Sequence, residues 1–223
     1  MFPPHCNPPE KLRAVRDRVF AFAPNRDTLG ATAYLIVEND ANFLIDSPPA
    51  TPEITEFLQT IGVRWLALTH RGAMAGVDRL REATGCEVAV QEREAYLLPG
   101  VAVTTFADQM AIADTLTAIW TPGHSPGSSC YYYPGGKMLF SGRHLLCDRA
   151  GDPVPLRTAK TFHWPRQLES VRQLRDRFSR ESLQWICPGA NTGFLRGKGA
   201  IENAGEKLQG LDLEELARSQ PLL

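Results

Sequence analysis

The sequence predicts an α/β protein made of two β-rich halves, each accompanied by helices. Residues 52–90 alternate between helical and strand-like patterns, an order typical of βαβ crossovers with parallel strands. Residues 101–141 then contain only short strand patterns and turns, and helical patterns follow in the remainder of the chain. We therefore expect two β-sheets covered by helices in one compact domain.

Composition supports an ordinary folded protein. The 223 residues carry 24 Lys and Arg against 25 Asp and Glu, so the net charge is −1, and 43% of the residues are hydrophobic. A chain of this size buries well over half of its unfolded surface, and its charge balance offers no basic field for nucleic acid. No apolar run approaches the roughly 18 residues of a membrane span, and the N-terminus lacks a signal pattern, so a cytoplasmic location is expected.

The first half begins with a proline-rich segment. Four prolines within the first ten residues predict an extended N-terminal arm over residues 1–14, followed by a single domain over residues 15–223. Strands are expected at residues 19–22, 31–37, 42–46, 63–68 and 86–90, with a turn at Asn39-Asp40. Apolar residues spaced as on one helix face predict helices at residues 52–61 and 77–84, each ending at a glycine.

The second half is expected to start with strands and finish with helices. Strands are predicted at residues 101–104, 117–120, 129–133, 137–141 and 185–187, with Pro134-Gly135-Gly136 as a hairpin turn. Residues 147–163 have no regular pattern. Helices are predicted at residues 167–178, 201–208 and 211–217, the last two forming a helical tail. Five scattered cysteines without a C-x-x-C spacing are expected to be reduced thiols.

Three loops stand out because each follows a predicted strand. They cover residues 68–76 (LTHRGAMAG), 121–127 (TPGHSPG) and 139–146 (LFSGRHLL). Together with Asp46 and a late C-P-G-A at residues 187–190, their order and spacing resemble the metallo-β-lactamase-fold hydrolases typified by glyoxalase II. The resemblance runs from about residue 19 to about residue 195, and it implies a four-layer αββα sandwich of two mixed sheets flanked by helices.

The same resemblance implies a centre of two metal ions, which this sequence cannot supply in the usual way. The family's ligand positions fall on His70, Gly72, Met74, Ala75, His124, Arg143 and Ala190, and five of these seven residues cannot bind zinc. A catalytic zinc needs about three protein ligands and an open water position. Arg143 also places a permanent cation where a carboxylate should bridge two dications. No metal, cofactor or catalytic residue is therefore expected.

The substituted positions leave several roles open. His70 and His124 are either surviving ligands or buried hydrogen-bonding residues, and Asp46 is the family's structural aspartate. Arg71 and Arg143 either form internal salt bridges that replace the metals or bind an anionic ligand. Met74 fills volume that metals would occupy.

We therefore expect a non-catalytic binding or scaffolding protein, with His70, Arg71, Met74, His124 and Arg143 as pocket candidates. The alternatives are a weak hydrolase of thioesters or esters that uses one metal or none, and a binder of a small anionic ligand. The sequence does not identify the ligand, the protein partner or the oligomeric state. It does not decide whether the chain is an enzyme.

Overall fold

A computed structural model of the chain describes Phe2, residues 6–39 and residues 41–221. The chain forms two compact units, Met1–Phe106 and Ala107–Leu223, which correspond to the two predicted halves. Each unit has its own sheet and its own helices. Part of the predicted arm (residue 1 and residues 3–5) and Asp40 of the predicted turn lie outside the described residues. In the described ranges, no helix has both the length and the apolar character that a membrane crossing requires.

The first unit contains a seven-stranded mixed sheet. Its strands are β1 (Arg13–Arg16), β2 (Val19–Ala21), β3 (Tyr34–Ile36), β4 (Asn42–Ile45), β5 (Val63–Ala67), β6 (Glu87–Gln91) and β7 (Thr104–Phe106). They lie in chain order across the sheet. Strands β1 to β4 pair antiparallel, and β4 to β7 pair parallel. The β-meander followed by parallel crossovers confirms the predicted topology of this half.

Two helices cover this sheet at the predicted residues, α1 (Pro52–Ile61) and α2 (Val77–Thr84). The hydroxyl of Thr51 accepts a hydrogen bond from the amide of Ile54, and Gly62 ends α1 in the left-handed conformation. The buried faces of both helices join the apolar core of the first unit, in which Leu58, Leu66 and Leu80 are at most 1% exposed. The amphipathic pattern was therefore sufficient to locate both helices.

The second unit contains a six-stranded mixed sheet and a small two-stranded ribbon. The six strands are β8 (Gln109–Ile112), β9 (Leu116–Trp120), β10 (Ser129–Tyr133), β11 (Met138–Gly142), β14 (Trp185–Pro188) and β15 (Ile201–Glu202). Their order is β15-β14-β11-β10-β9-β8, with β11 and β14 parallel and the other neighbours antiparallel. The ribbon pairs β12 (Leu146–Cys147) with β13 (Pro153–Val154).

The helices of the second unit are α3 (Trp164–Arg177), α4 (Ala204–Gln209) and α5 (Leu213–Arg218). Helix α3 packs Leu168, Val171 and Leu174 into a core that also receives Leu208 of α4 and Leu213 of α5. The Tyr132 hydroxyl donates a hydrogen bond of 2.6 Å to the carbonyl oxygen of Ser182. This core lies on the helix-covered side of the six-stranded sheet.

Several predicted elements were wrong or incomplete. The strand predicted at residues 101–104 is displaced, since β7 begins only at Thr104. Strand β8 was not predicted, and the stretch expected to be irregular contains β12 and β13. Residues 201–202 form a strand instead of a helix start. Strand β1 begins at Arg13, two residues inside the predicted arm, where Arg13 and Ala14 pair with β2.

Candidate functional site

In the first unit, the loop after β5 is held by Asp46, which lies at the end of β4. The Asp46 carboxylate accepts hydrogen bonds of 2.7 Å from the amide and from the hydroxyl of Thr69. The Thr69 hydroxyl also lies 2.9 Å from Nδ1 of His70. Because the hydroxyl proton goes to Asp46, Nδ1 of His70 is the donor in this second contact. Asp46 thus ties two parallel strands together and orients the histidine ring.

The imidazole of His70 lies over the backbone of Gly72. A Cβ atom at position 72 would be 3.0 Å from Nε2 of His70, so any side chain there would require the ring to move. His70 itself is buried, and Met74 packs against the apolar core of the first unit. The histidine ring therefore occupies the space next to position 72, and Met74 serves as core packing.

Arg71 forms an internal ion pair. Its Nε donates a hydrogen bond of 3.0 Å to Oε1 of Glu94, and the Glu94 side chain is completely buried while that of Arg71 is 42% exposed. A buried carboxylate requires such compensation, because removing a charge from water is costly. Of the two alternatives for Arg71, the structure contains the internal salt bridge.

In the second unit, the loop that carries His124 lies directly on α3. Gly123 has a φ of 143°, and a Cβ atom there would be only 2.3 Å from the Cα atom of Gln167. The Ser170 hydroxyl donates a hydrogen bond of 2.8 Å to the carbonyl oxygen of Pro122. The amide of His163 donates a hydrogen bond to the carbonyl oxygen of Gly123. The T-P-G-H sequence thus positions His124 by close backbone contact with the start of α3.

The loop after β11 carries Arg143 and His144. Arg143 is half-buried, whereas His144 is 1% exposed and its two ring nitrogens have no hydrogen-bond partner among the described residues. Burial, with a smaller contribution from the nearby His124, lowers the pKa of His144 from 6.5 to about 3. His144 is therefore a neutral imidazole at physiological pH, and it lies near His124 within the same unit.

The last loop of the resemblance follows β14. The amide of Gly189 donates a hydrogen bond of 2.6 Å to the carbonyl oxygen of Gly142, so the ends of the parallel strands β11 and β14 are in contact. A Cβ atom at position 189 would lie 2.9 Å from the Gly142 backbone, which explains why the motif needs glycine there. Ala190 is buried and supplies no ligand atom.

These residues do not fit a di-metal centre. In the part of the chain that the structure describes, no group of three or more His, Cys, Asp and Glu side chains could hold a metal ion. Gly72, Ala75 and Ala190 have no donor atom, Arg143 is a cation, and Met74 is committed to the core. The backbone framework of the motifs is present, but the donor set is not.

Sequence reasoning placed the loops but missed important partners. It did not find Thr69, Glu94 or Gln167, and it gave His144 no role in the site. Thr69 precedes His70 at the end of a buried strand, which could have marked it as a second partner of Asp46. No local pattern distinguishes Glu94 from the neighbouring Glu92, since only the fold buries one of them.

Comparisons with known proteins agree with these features. The family model described as Metallo-beta-lactamase superfamily matches residues 26–181. A hydroxyacylglutathione hydrolase of Rhodobacter capsulatus is 30% identical over 139 residues, covering 55% of this chain and 51% of that protein. The chain thus spans about half the length of this curated relative.

Solved structures share the fold at low sequence identity. The crystal structure of VMB-1 has a TM-score of 0.69 and 14% identity, covering 93% of this chain and 97% of that one. The crystal structure of TTHA1623 in a di-iron-bound form has a TM-score of 0.58 and 22% identity, covering 87% and 96%. These similarities establish the fold class predicted from the motifs.

Proposed function

The chain belongs to the metallo-beta-lactamase superfamily, and we propose that it is a member without a di-metal hydrolase centre, acting as a non-catalytic binding or scaffolding protein. The contact between His70 and Gly72 carries this proposal. In the resembling family, position 72 holds a metal ligand, whereas here it is a glycine, and a Cβ atom there would lie 3.0 Å from Nε2 of His70. A ligand side chain at position 72 would therefore require the His70 ring to shift by a few tenths of an ångström.

Electrostatics support the same proposal. The family places a carboxylate at position 143, where it would neutralise two dications, and this chain has Arg143 instead. A guanidinium is always protonated at physiological pH and cannot become a ligand. Without a metal to lower the pKa of a bound water, these residues offer no hydroxide nucleophile near neutral pH.

A weak hydrolase is the second candidate, and the Asp46–Thr69–His70 arrangement favours it. A histidine whose Nδ1 donates to an oriented partner is the usual state of a metal-binding imidazole. Several curated relatives are named hydroxyacylglutathione hydrolases, which suggests thioesters as the substrate class. Such an enzyme would use one metal or none.

Metal analysis and a thioester assay on the same preparations separate these candidates. The protein is purified without chelator, analysed for zinc, iron and manganese, and assayed for hydrolysis of a hydroxyacylglutathione. The positive control restores the ligands with Gly72→His, Met74→Asp, Ala75→His, Arg143→Asp and Ala190→His. We expect less than about 0.1 metal ion per native chain and no turnover.

Two results would contradict the proposal. One tightly bound metal ion per native chain would favour the hydrolase, as would turnover that is lost in His70→Ala and His124→Ala. Turnover that persists in both variants would be measured again after further purification. Loss of turnover would identify a contaminant, whereas persistence would point to another catalytic site and would equally contradict a non-catalytic role. The restored variant shows whether the assay detects a metal-loaded form of this chain.

An anionic ligand is the form of binding that the motifs themselves suggest. The candidate for an anion anchor is Arg143, a half-buried cation at the position where the resembling family has a carboxylate. Arg143→Ala would then weaken binding of a carboxylate or phosphate ligand by about 2 kcal/mol. Unchanged affinity would exclude Arg143 as the anchor.

A further inference from the structure

A groove in the second unit lies between α3 and the sheet edge formed by β8 and β9. Its volume is about 460 Å³, within the range of about 300–1,000 Å³ that is typical of small-molecule sites. Residues of β9 and of the segment that follows it form one wall, and one face of α3 forms the other. None of the five pocket candidates predicted from the sequence lines this groove.

The groove has an apolar floor of fixed shape. Ile119, Pro122 and Leu174 are largely buried, and the indole of Trp120 is half-buried beside them. Nε1 of Trp120 donates a hydrogen bond of 2.9 Å to the carbonyl oxygen of Pro126, which holds the ring in place. A rigid indole at the floor of a groove offers a face on which a planar apolar group can stack.

The α3 wall presents a mainly polar stripe to the groove. Arg166, Ser170, Gln173 and Arg177 are spaced by four, three and four residues, so they lie along one stripe of the helix. The opposite stripe packs into the core of the unit. A guanidinium therefore lies toward each end of the groove, with two neutral polar side chains between them.

The charges of this groove favour an anion of low charge. Arg177 donates a hydrogen bond of 2.7 Å to the neutral amide oxygen of Gln109, and no described carboxylate forms an ion pair with Arg166 or Arg177. Glu169 lies in the lining but is paired with Arg172. Asp108 at the rim is the other carboxylate, and it opposes the binding of a polyanion.

We propose that this groove binds a small organic monoanion with a planar apolar body, which stacks on Trp120 while its acidic group pairs with Arg177 or Arg166. Binding of a ligand in this groove does not depend on whether the chain has lost its metal centre. It also lies against the His124 loop, because Pro122 lines the groove and accepts the hydrogen bond from Ser170.

The first test is a fluorescence titration with two matched probes. The probes are 8-anilino-1-naphthalenesulfonate, a planar monoanion, and N-phenyl-1-naphthylamine, which lacks the sulfonate. We expect the anionic probe to bind with one site per chain. The double substitution Arg177→Gln and Arg166→Gln should lower the affinity for the anionic probe by about fivefold, which is the upper range for exposed charge pairs. The affinity for the neutral probe should change by less than twofold in the same double variant.

Matched variants localise the effect. Arg149→Gln removes the same charge from an exposed residue of the same unit outside the groove, and it should leave both affinities unchanged. Gln173→Phe places a ring in the groove from an exposed helix position, and it should abolish binding of both probes. All of these residues are exposed, so their substitution should leave the fold intact, which thermal unfolding verifies.

The second test follows the indole N–H resonance of Trp120, assigned with Trp120→Phe. The chemical shift of this resonance should change when the anionic probe is added to the native protein. It should not change in Gln173→Phe. If the probe binds while this resonance stays fixed, or if the double arginine variant binds as tightly as the native protein, the proposal is wrong. A failure of this test leaves the metal and thioester experiments unaffected.

Discussion

Arg71 and Glu94 form an internal ion pair beside the His70 loop. The Glu94 side chain is completely buried, and Arg71 is the cation that compensates it at 3.0 Å. We expect Arg71→Met to destabilise the protein by about 1–2 kcal/mol, because it removes the ion pair between Arg71 and the buried carboxylate. The estimate is below that for a fully buried pair, since Arg71 is partly exposed. Urea unfolding measures the change.

A double-mutant cycle distinguishes the pair from simple loss of packing. Glu94→Gln combined with Arg71→Met removes both charges, so the double variant should be more stable than Arg71→Met alone. Strictly additive effects of the two substitutions would show that the ion pair contributes nothing. Arg64→Met is the matched control, because Arg64 is an exposed arginine of the same unit.

His144 makes the stability of the protein depend on pH. Burial and repulsion from His124 lower its folded-state pKa to about 3, whereas an unfolded histidine titrates near 6.5. Between these values the unfolded chain binds more protons than the folded one. The contribution of His144 to stability is therefore complete above about pH 6.5 and is lost as the pH falls toward 3, by up to tenfold per pH unit in the unfolding equilibrium.

The measurement is chemical unfolding between pH 7 and pH 4 in the native protein and in His144→Leu. The variant should show a shallower loss of stability on acidification. The control is His163→Asn, which removes an exposed histidine but keeps a side chain that can cap α3. Equal slopes in native protein and His144→Leu would mean that His144 is not the group responsible.

At the scale of elements, the close contact between the His124 loop and α3 predicts a strong effect of one methyl group. Gly123 combines a φ of 143° with a would-be Cβ only 2.3 Å from the Gln167 Cα atom, and neither atom belongs to a flexible side chain. We expect Gly123→Ala to destabilise the protein by about 3 kcal/mol or more.

Gly193→Ala is the control for this substitution. A Cβ atom added at Gly193 would lie more than 4 Å from every residue other than its neighbours along the chain, and this glycine has no positive φ, so alanine there should be neutral. Thermal unfolding of the two variants compares them directly. A small effect of Gly123→Ala would mean that the loop can separate from α3 at little cost.

The elements that sequence reasoning found are those with strong local signals. Helices α1 and α2 have an apolar stripe, and the terminal glycines Gly62 and Gly85 adopt the left-handed conformation that ends a helix. Strands β8 and β15 lack such a signal, since they are short edge strands whose pairing depends on distant neighbours. For the same reason the motifs located the loops, whereas the burial of Glu94 and His144 emerged only from the fold.

For the whole molecule, the proposed loss of the metal centre implies a fold that is stable without metal ions. Contacts within the chain hold the loops after β5 and β14, such as Asp46 bridging two strands and the hydrogen bond between Gly189 and Gly142. None of these contacts involves a residue at one of the family's ligand positions. In a protein that depends on its metals, ligand loss removes folding free energy. Here Met74 packs against the core of the first unit and Arg71 is paired with Glu94 next to His70, so we expect stability that is independent of metal.

Thermal unfolding with and without metal tests that expectation without any activity assay. A metal that binds only the folded state adds about 2.7 kcal/mol at a free concentration of 100 times its Kd, which corresponds to an increase of about 5–10 °C in Tm for a chain of this length. The native protein should show the same Tm, within about 1 °C, in EDTA and in excess zinc. The variant with five restored ligands should gain stability from zinc, provided that the His70 ring moves off Gly72. A zinc-dependent rise of Tm in the native protein would show a metal site and would reverse the order of the two candidate functions.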